Sequence, residues 1–151
     1  MSSAIWVGSF TLEEIALRSR GSFSDLLGIE FTEFGPDFLV ARMSVEPRMH
    51  QPFGVLHGGA SVALAETVGS AASNLAVDQD RARCVGQSIN ANHLLPVSAG
   101  YIHARATPFN LGLNSHVWGI EIRDETGALT CICRLTMAVL ERPAGATVRP
   151  A

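Results

Sequence analysis

The sequence predicts an α+β domain, an antiparallel sheet wrapped around one long central helix. Three observations lead there. The stretch from His57 to Val77, HGGASVALAETVGSAASNLAV, contains a single fully charged residue, Glu66. Two strand-like runs precede it and four follow it, separated by turn-forming residues. Hydrophobic residues make up 47% of the 151-residue chain and charged residues 17%, which supplies a sizeable core and excludes a disordered chain. At this length one domain holds the whole core. It is expected to span residues 1–142, with 143–151 as a frayed tail lacking apolar periodicity.

The elements follow in chain order. Thr11 and Glu14 have the spacing of a capping box, so a short amphipathic helix is expected over 11–19. Ser24 to Gly28 is a further helical turn stopped by Gly28. Ile29–Phe34 and Asp37–Val45 flank the turn signal Gly35-Pro36 and predict a hairpin, with Phe38 and Val40 on one face of its second strand and Met43 on the other. Pro47 ends that strand, and Met49–Leu56 is read as a loop.

The 57–77 stretch approaches the roughly 20 apolar residues of a membrane span. Its central carboxylate, three Gly and three Ser predict instead a buried helix on which something packs closely. Asp78–Arg81 is a polar turn. Arg83–His93, Gly100–Pro108, Leu113–Asp124 and Ala128–Leu140 then read as strands, with turns at Ser98 and Gly100, at Asn110 and Gly112, and at Asp124–Gly127. Such a sheet has open edges, and pairing two copies is one way to cover them.

Composition excludes several kinds of chemistry. A net charge of −3 argues against a broad electrostatic grip on nucleic acid. All 11 basic residues are Arg, so no lysine Schiff base can form. Cys84, Cys131 and Cys133 lack C-x-x-C spacing and read as buried thiols of a reducing cytoplasm. Met1–Phe10 lacks the basic and long apolar regions of a signal peptide. The five His show neither H-x-x-x-H nor H-E-x-x-H spacing, and no P-loop or G-x-G-x-x-G occurs, so neither a metal nor a cofactor is expected. Ser61, in Gly59-Ala-Ser-Val-Ala63, lacks the second Gly of a nucleophile elbow.

Glu66 is the foremost chemical candidate. A carboxylate on an uncharged buried helix is costly unless it is partnered or protonated. It either pairs with an Arg or caps an amide, or it serves as a general base or nucleophile. Ser70, one turn on, either helps hold water beside Glu66 or is a small packing residue. His57-Gly58-Gly59 opens the helix, where amides lack intrahelical partners and can polarise a carbonyl oxygen. Gln51, seven residues before Gly58, is an uncharged donor.

Spacing adds a constraint. Gly58 and Glu66 lie eight residues apart, about 12 Å along one helix. One small reacting group cannot touch both in one chain, so joint action requires a symmetric dimer. The small residues Ala60, Ala63, Ala65 and Gly69 would let a partner approach.

The string His50-Gln-Pro-Phe-Gly-Val-Leu-His-Gly-Gly-Ala-Ser-Val-Ala-Leu-Ala-Glu-Thr67 closely resembles the hotdog-fold acyl-CoA thioesterases of the 4-hydroxybenzoyl-CoA thioesterase type that uses a helix Glu. Within that family it is most similar to the branches that hydrolyse 1,4-dihydroxy-2-naphthoyl-CoA and that proofread enterobactin synthesis. The likeness runs from about Leu26 to Leu140 and includes Val85–His93 and Cys133–Val139. It implies a hotdog fold, a site formed by two subunits, and dimers that pair into a tetramer. It implies Glu66 as nucleophile or base, the Gly58 amide polarising the thioester carbonyl, Gln51 and His57 assisting it, and Ser70 placing water. His93 and Asn92 match the region where pantetheine or the acyl group enters. Relatives often carry an Arg where this chain has Leu113, at the end of Asn110-Leu-Gly-Leu113; Ser115 and His116 are the nearby polar candidates for CoA contacts. The expected substrate is an acyl thioester of CoA or acyl carrier protein, with an aromatic acyl group favoured. A hotdog hydratase or dehydratase and a non-catalytic acyl-CoA-binding module are the alternative readings.

Overall fold

A computed structural model describes residues 4–142; the expected tail, 143–151, lies outside the described residues. The first helix, α1 (Leu12–Arg18), starts at the expected box: the Glu14 N–H donates to Thr11 Oγ1 at 3.2 Å, and the Thr11 N–H donates to the Glu14 carboxylate at 2.8 Å. A one-turn helix, α2 (Phe23–Leu26), follows. Strands β1 (Glu30–Phe34) and β2 (Leu39–Ser44) form the antiparallel hairpin. On β2 it is Leu39, Ala41 and Met43 that face the core. A 3-10 turn over Pro47–Met49, favoured by Pro at its start, occupies ground expected to be irregular.

The long helix α3 spans Gly58–Leu75. Strands β3 (Ala82–His93), β4 (Tyr101–Leu111), β5 (Ser115–Asp124) and β6 (Leu129–Glu141) complete the chain. β4 runs beyond its expected end at Pro108 because a bulge absorbs Phe109 and Asn110 still pairs with Val117. The six strands form one antiparallel sheet in the order β1-β2-β4-β5-β6-β3, with α3 packed on one face: the hotdog arrangement the sequence predicted. No helix among the described residues is long and apolar enough to cross a membrane.

The buried face of α3 carries Ser61, Leu64, Ala65, Val68, Ala72 and Leu75, the three- and four-residue spacing of an amphipathic helix. Beneath it the sheet is small in places, with Ala41 paired to Ala104 and Leu39 to Ala106, and Trp118, Ile120 and Leu135 fill the rest of the core. Helix and sheet meet most closely at Gly69, where a Cβ would lie 2.5 Å from a Leu135 methyl. Ala65 and Gly69 are therefore spent inside the protomer, which corrects the expectation that they offer a surface to a partner. Ala60 and Ala63 remain only partly covered.

Asn74 ties the end of α3 to the start of β3. Its amide donates to the Ser70 and Cys84 carbonyls, both at 3.0 Å, and its carbonyl accepts from the Cys84 N–H at 2.9 Å. β3 pairs only with β6, and Cys84 is its one buried residue. One edge of a 12-residue strand is thus left open.

Candidate active site

His57 occupies the N-cap of α3. Its extended backbone leads into the helix, and its Nδ1 accepts from the Gly59 N–H at 2.9 Å. That bond requires the ring to be unprotonated at Nδ1. The Ala60 N–H donates to the His57 carbonyl at 2.9 Å. Among the described residues the Gly58 N–H finds no acceptor, so it is the free donor of the first turn, at the positive end of the helix dipole. The cap, rather than an open cavity beside Gly58, is what the structure assigns to the His57 ring.

Gly58 opens into a cavity of about 340 Å³ that it shares with Gln51, His93 and the buried Ser61 and Thr130. The His93 ring lies so close that a Cβ on residue 58 would come within 2.7 Å of Nε2. Glycine is what allows this approach. Gln51 is set by a turn: its Oε1 accepts from the Phe53 N–H at 2.9 Å, which leaves its amide N–H groups free to donate.

Glu66 is half-buried about two turns further along α3. Neither of the partners that a bland reading would give it is present: among the described residues its carboxylate makes no ion pair and no hydrogen bond. It rests instead on the backbone of β3, where a Cβ on Gly86 would lie 2.5 Å from Oε1. A bulge between Gly86 and Ser88 marks the same place on the open edge. Glu66 lines a second cavity of about 460 Å³, together with Ser70, Ala71, Asn74, Ile15 and Phe31. Ser70 shares that cavity, yet its hydroxyl donates inward, to Met137 Sδ at 3.7 Å.

The remaining expected residues are dispersed. Asn92 and His93 are neighbours on a strand and so face opposite sides. Asn92 lines a groove with Phe109 and Arg134, away from the Gly58 cavity. Ser115 lies at the start of β5, its carbonyl accepting from the Gly112 N–H, and lines neither cavity. His116 is corrected outright as a CoA contact. It is 3% exposed, and its Nδ1 shares a 2.7 Å hydrogen bond with Ser73 Oγ. Burial pushes its pKa down, and burial likewise raises the nearby Cys84 thiol, an effect partly offset by a hydrogen bond with Ser73. All three Cys are free and buried.

Sequence reasoning missed Gly86, the seat of Glu66, and Asn74, the helix clamp. Gly86 lies in the Val85–His93 segment, but nothing local marks it as the contact of a residue 20 positions earlier. Asn74, an amide in a helix end of small residues and Leu75, was a signal that could have been used.

Comparison with known proteins shows what the chain as a whole is similar to. Residues 53–131 match the profile described as the thioesterase superfamily. The proofreading thioesterase EntH of Cronobacter turicensis is 46% identical over 90% of this chain and 98% of its own. The 1,4-dihydroxy-2-naphthoyl-CoA hydrolase of Escherichia coli is 44% identical over 90% of this chain and 99% of its own. The crystal structure of a mutant thioesterase from Pseudomonas aeruginosa superposes with a TM-score of 0.90 at 45% identity, covering 92% of this chain and all of that one.

Proposed function

The chain belongs to the thioesterase superfamily, and on that premise we propose that it hydrolyses acyl thioesters of CoA or acyl carrier protein at a site shared by two subunits. The observation that carries this reading is the separation of two unpartnered groups. The Glu66 carboxylate faces one cavity and the Gly58 N–H faces another, on one rigid helix. They act together only across two copies. The open β3 edge, with Gly86 and Glu66 beside it, is where a second copy would pair, strand to strand, to form the homodimer. Pairs of such dimers would make the homotetramer.

In the site so formed, the thioester oxygen accepts from the Gly58 N–H of one subunit, with the Gln51 amide as second donor, while Glu66 of the other subunit faces the carbonyl carbon. Acting as a base, Glu66 takes a proton from water as the water oxygen bonds to that carbon. The tetrahedral oxyanion gathers charge where the helix terminus is positive. Collapse breaks the C–S bond, and the proton held by Glu66 goes to the departing thiolate, giving free acid and thiol. Acting as a nucleophile, Glu66 instead bonds to the carbonyl carbon, and the C–S bond breaks to release the thiolate. Water opens the resulting mixed anhydride to free acid and the Glu66 carboxylate, the water's spare proton going to the thiolate. Both routes balance without a metal or redox cofactor. His57 is a positioning residue, because its ring fixes the first turn that presents Gly58. Ser70 borders the place where water would sit. The name of the Escherichia coli relative favours an aromatic acyl group, and the apolar Ile15 and Phe31 walls suit one. Three buried free thiols fit the reducing cytoplasm.

A mixed-subunit assay tests the shared site. Glu66→Gln removes the base. Gly58→Pro removes the N–H at a first helical position that accepts Pro, after a His57 whose ψ of 131° suits a residue preceding it. The proline ring also pushes the His93 side chain aside, so the variant disables the Gly58 half of the site as a whole. Each variant alone should lose activity by about 100-fold or more. Unfolded and refolded together in equal amounts, they should regain roughly a quarter of wild-type thiol release, since half the dimers then hold one intact site. Mixtures no more active than the separate variants would end the two-subunit reading.

A further inference from the structure

The Glu66 cavity has a direction. Glu66, Ser70 and Asn74 follow one another at four-residue spacing, so the cavity runs along α3 for about 12 Å. Its near end holds the carboxylate. Ile15 and Phe31 give the cavity apolar walls. Its far end holds Arg18, the one cation among its lining residues. Arg18 is exposed and its guanidinium is tethered by one hydrogen bond: Nη1 donates to Gln79 Oε1 at 2.8 Å, and Gln79 Nε2 donates to the Asn74 carbonyl at 2.9 Å. Arg18 has no carboxylate partner among the described residues; it shares that with several other Arg, and what sets it apart from them is that it lines this cavity.

We propose that Arg18, set by Gln79 at the far end of the cavity, determines acyl specificity by selecting acyl groups that end in an acceptor oxygen, carboxylate or hydroxyl, over those that end in hydrocarbon. The proposal rests on the reading of this cavity as the acyl site. A guanidinium has five donors and no acceptor, and Gln79 occupies one of them. A hydrocarbon end pressed against it strips water from a charge and returns nothing. An acceptor oxygen replaces that water with a charge-assisted hydrogen bond. The apolar walls hold the body of the acyl group, and the polar end sets its reach from Glu66.

The experiment uses matched substrates: hexanoyl-CoA against adipoyl-CoA, and benzoyl-CoA against 4-hydroxybenzoyl-CoA. The wild-type protein should prefer the oxygen-ended member of a pair by about 10- to 100-fold in kcat/KM, read mainly in KM. Arg18→Met, which keeps the aliphatic stem in the last turn of α1, should erase the preference, weakening the oxygen-ended substrates and improving the hydrocarbon-ended ones, which no longer strip water from a charge. Gln79→Leu should weaken it, and Arg18→Lys should keep it for the carboxylate more than for the hydroxyl. Which pair shows the preference identifies the oxygen. A wild-type protein indifferent within both pairs, or a preference that survives in Arg18→Met, overturns the proposal while thioester hydrolysis stands. If the folded wild-type protein releases thiol from none of the four, hydrolysis of these thioesters is what fails. The preference is then read from the Kd values of the matching thioether analogues: a gap that Arg18→Met closes upholds the role of Arg18, and equal values overturn it.

Discussion

Gly86→Ala isolates the placement of Glu66 from its chemistry. A Cβ on residue 86 would lie 2.5 Å from Glu66 Oε1, and ordinary contact begins at 3.4 Å, so the carboxylate must retreat by about 0.9 Å. The backbone at 86 is not among the positive-φ glycines, so alanine fits without strain. What yields is the tip of a flexible side chain, which costs the fold little. Replacing Gly by Ala within a strand stabilises by about 0.5–1 kcal/mol through lost freedom of the unfolded chain. Stability should therefore hold or rise slightly. Activity should not hold. A reacting group moved by about 1 Å costs on the order of 100-fold, close to 2.7 kcal/mol in the barrier. The expected result is a kcat about 100-fold lower, with KM and the thermal midpoint near wild type. Thiol release gives the first two quantities and a melting curve the third. Full activity in a folded Gly86→Ala protein would mean that the Glu66 carboxylate is not held where the reaction occurs. A matching collapse in stability would mean that Gly86 serves the sheet rather than the site.

Two further outcomes concern the frame that carries the site. Gly69→Ala drives a methyl to 2.5 Å from Leu135 in the closed helix–sheet contact, so it should destabilise by about 1–3 kcal/mol in urea unfolding, and an unchanged midpoint would contradict the packing. His116 gives a pH signature. Its folded pKa lies below its ordinary value of about 6.5, so between the two values the unfolded chain binds more protons. Its contribution to stability is complete above about pH 6.5 and is lost as pH falls through the folded pKa. Wild-type protein should therefore lose more stability between pH 8 and pH 5 than His116→Gln, and equal losses would show that the ring titrates normally.

Much of the architecture was legible because its causes are local. The Thr11–Glu14 box, the 57–77 helix with its single charge and the glycine-marked turns depend on neighbours a few residues away, and they formed where expected. The spacing of Gly58 and Glu66 also lay open to reading, since a helix converts residue number into distance. What only the tertiary structure decided depends on strand register and on the rotation of α3, which join residues far apart in the chain. The placing of β3 against α3 brought Gly86 under Glu66 and His93 against Gly58. The rotation of α3 turned Ala65 and Gly69 inward, and the β5–β6 pairing sealed His116 against Ser73. A period-2 strand with apolar residues on both faces does not say which face is covered, because that depends on which strand lies beside it and what packs above it.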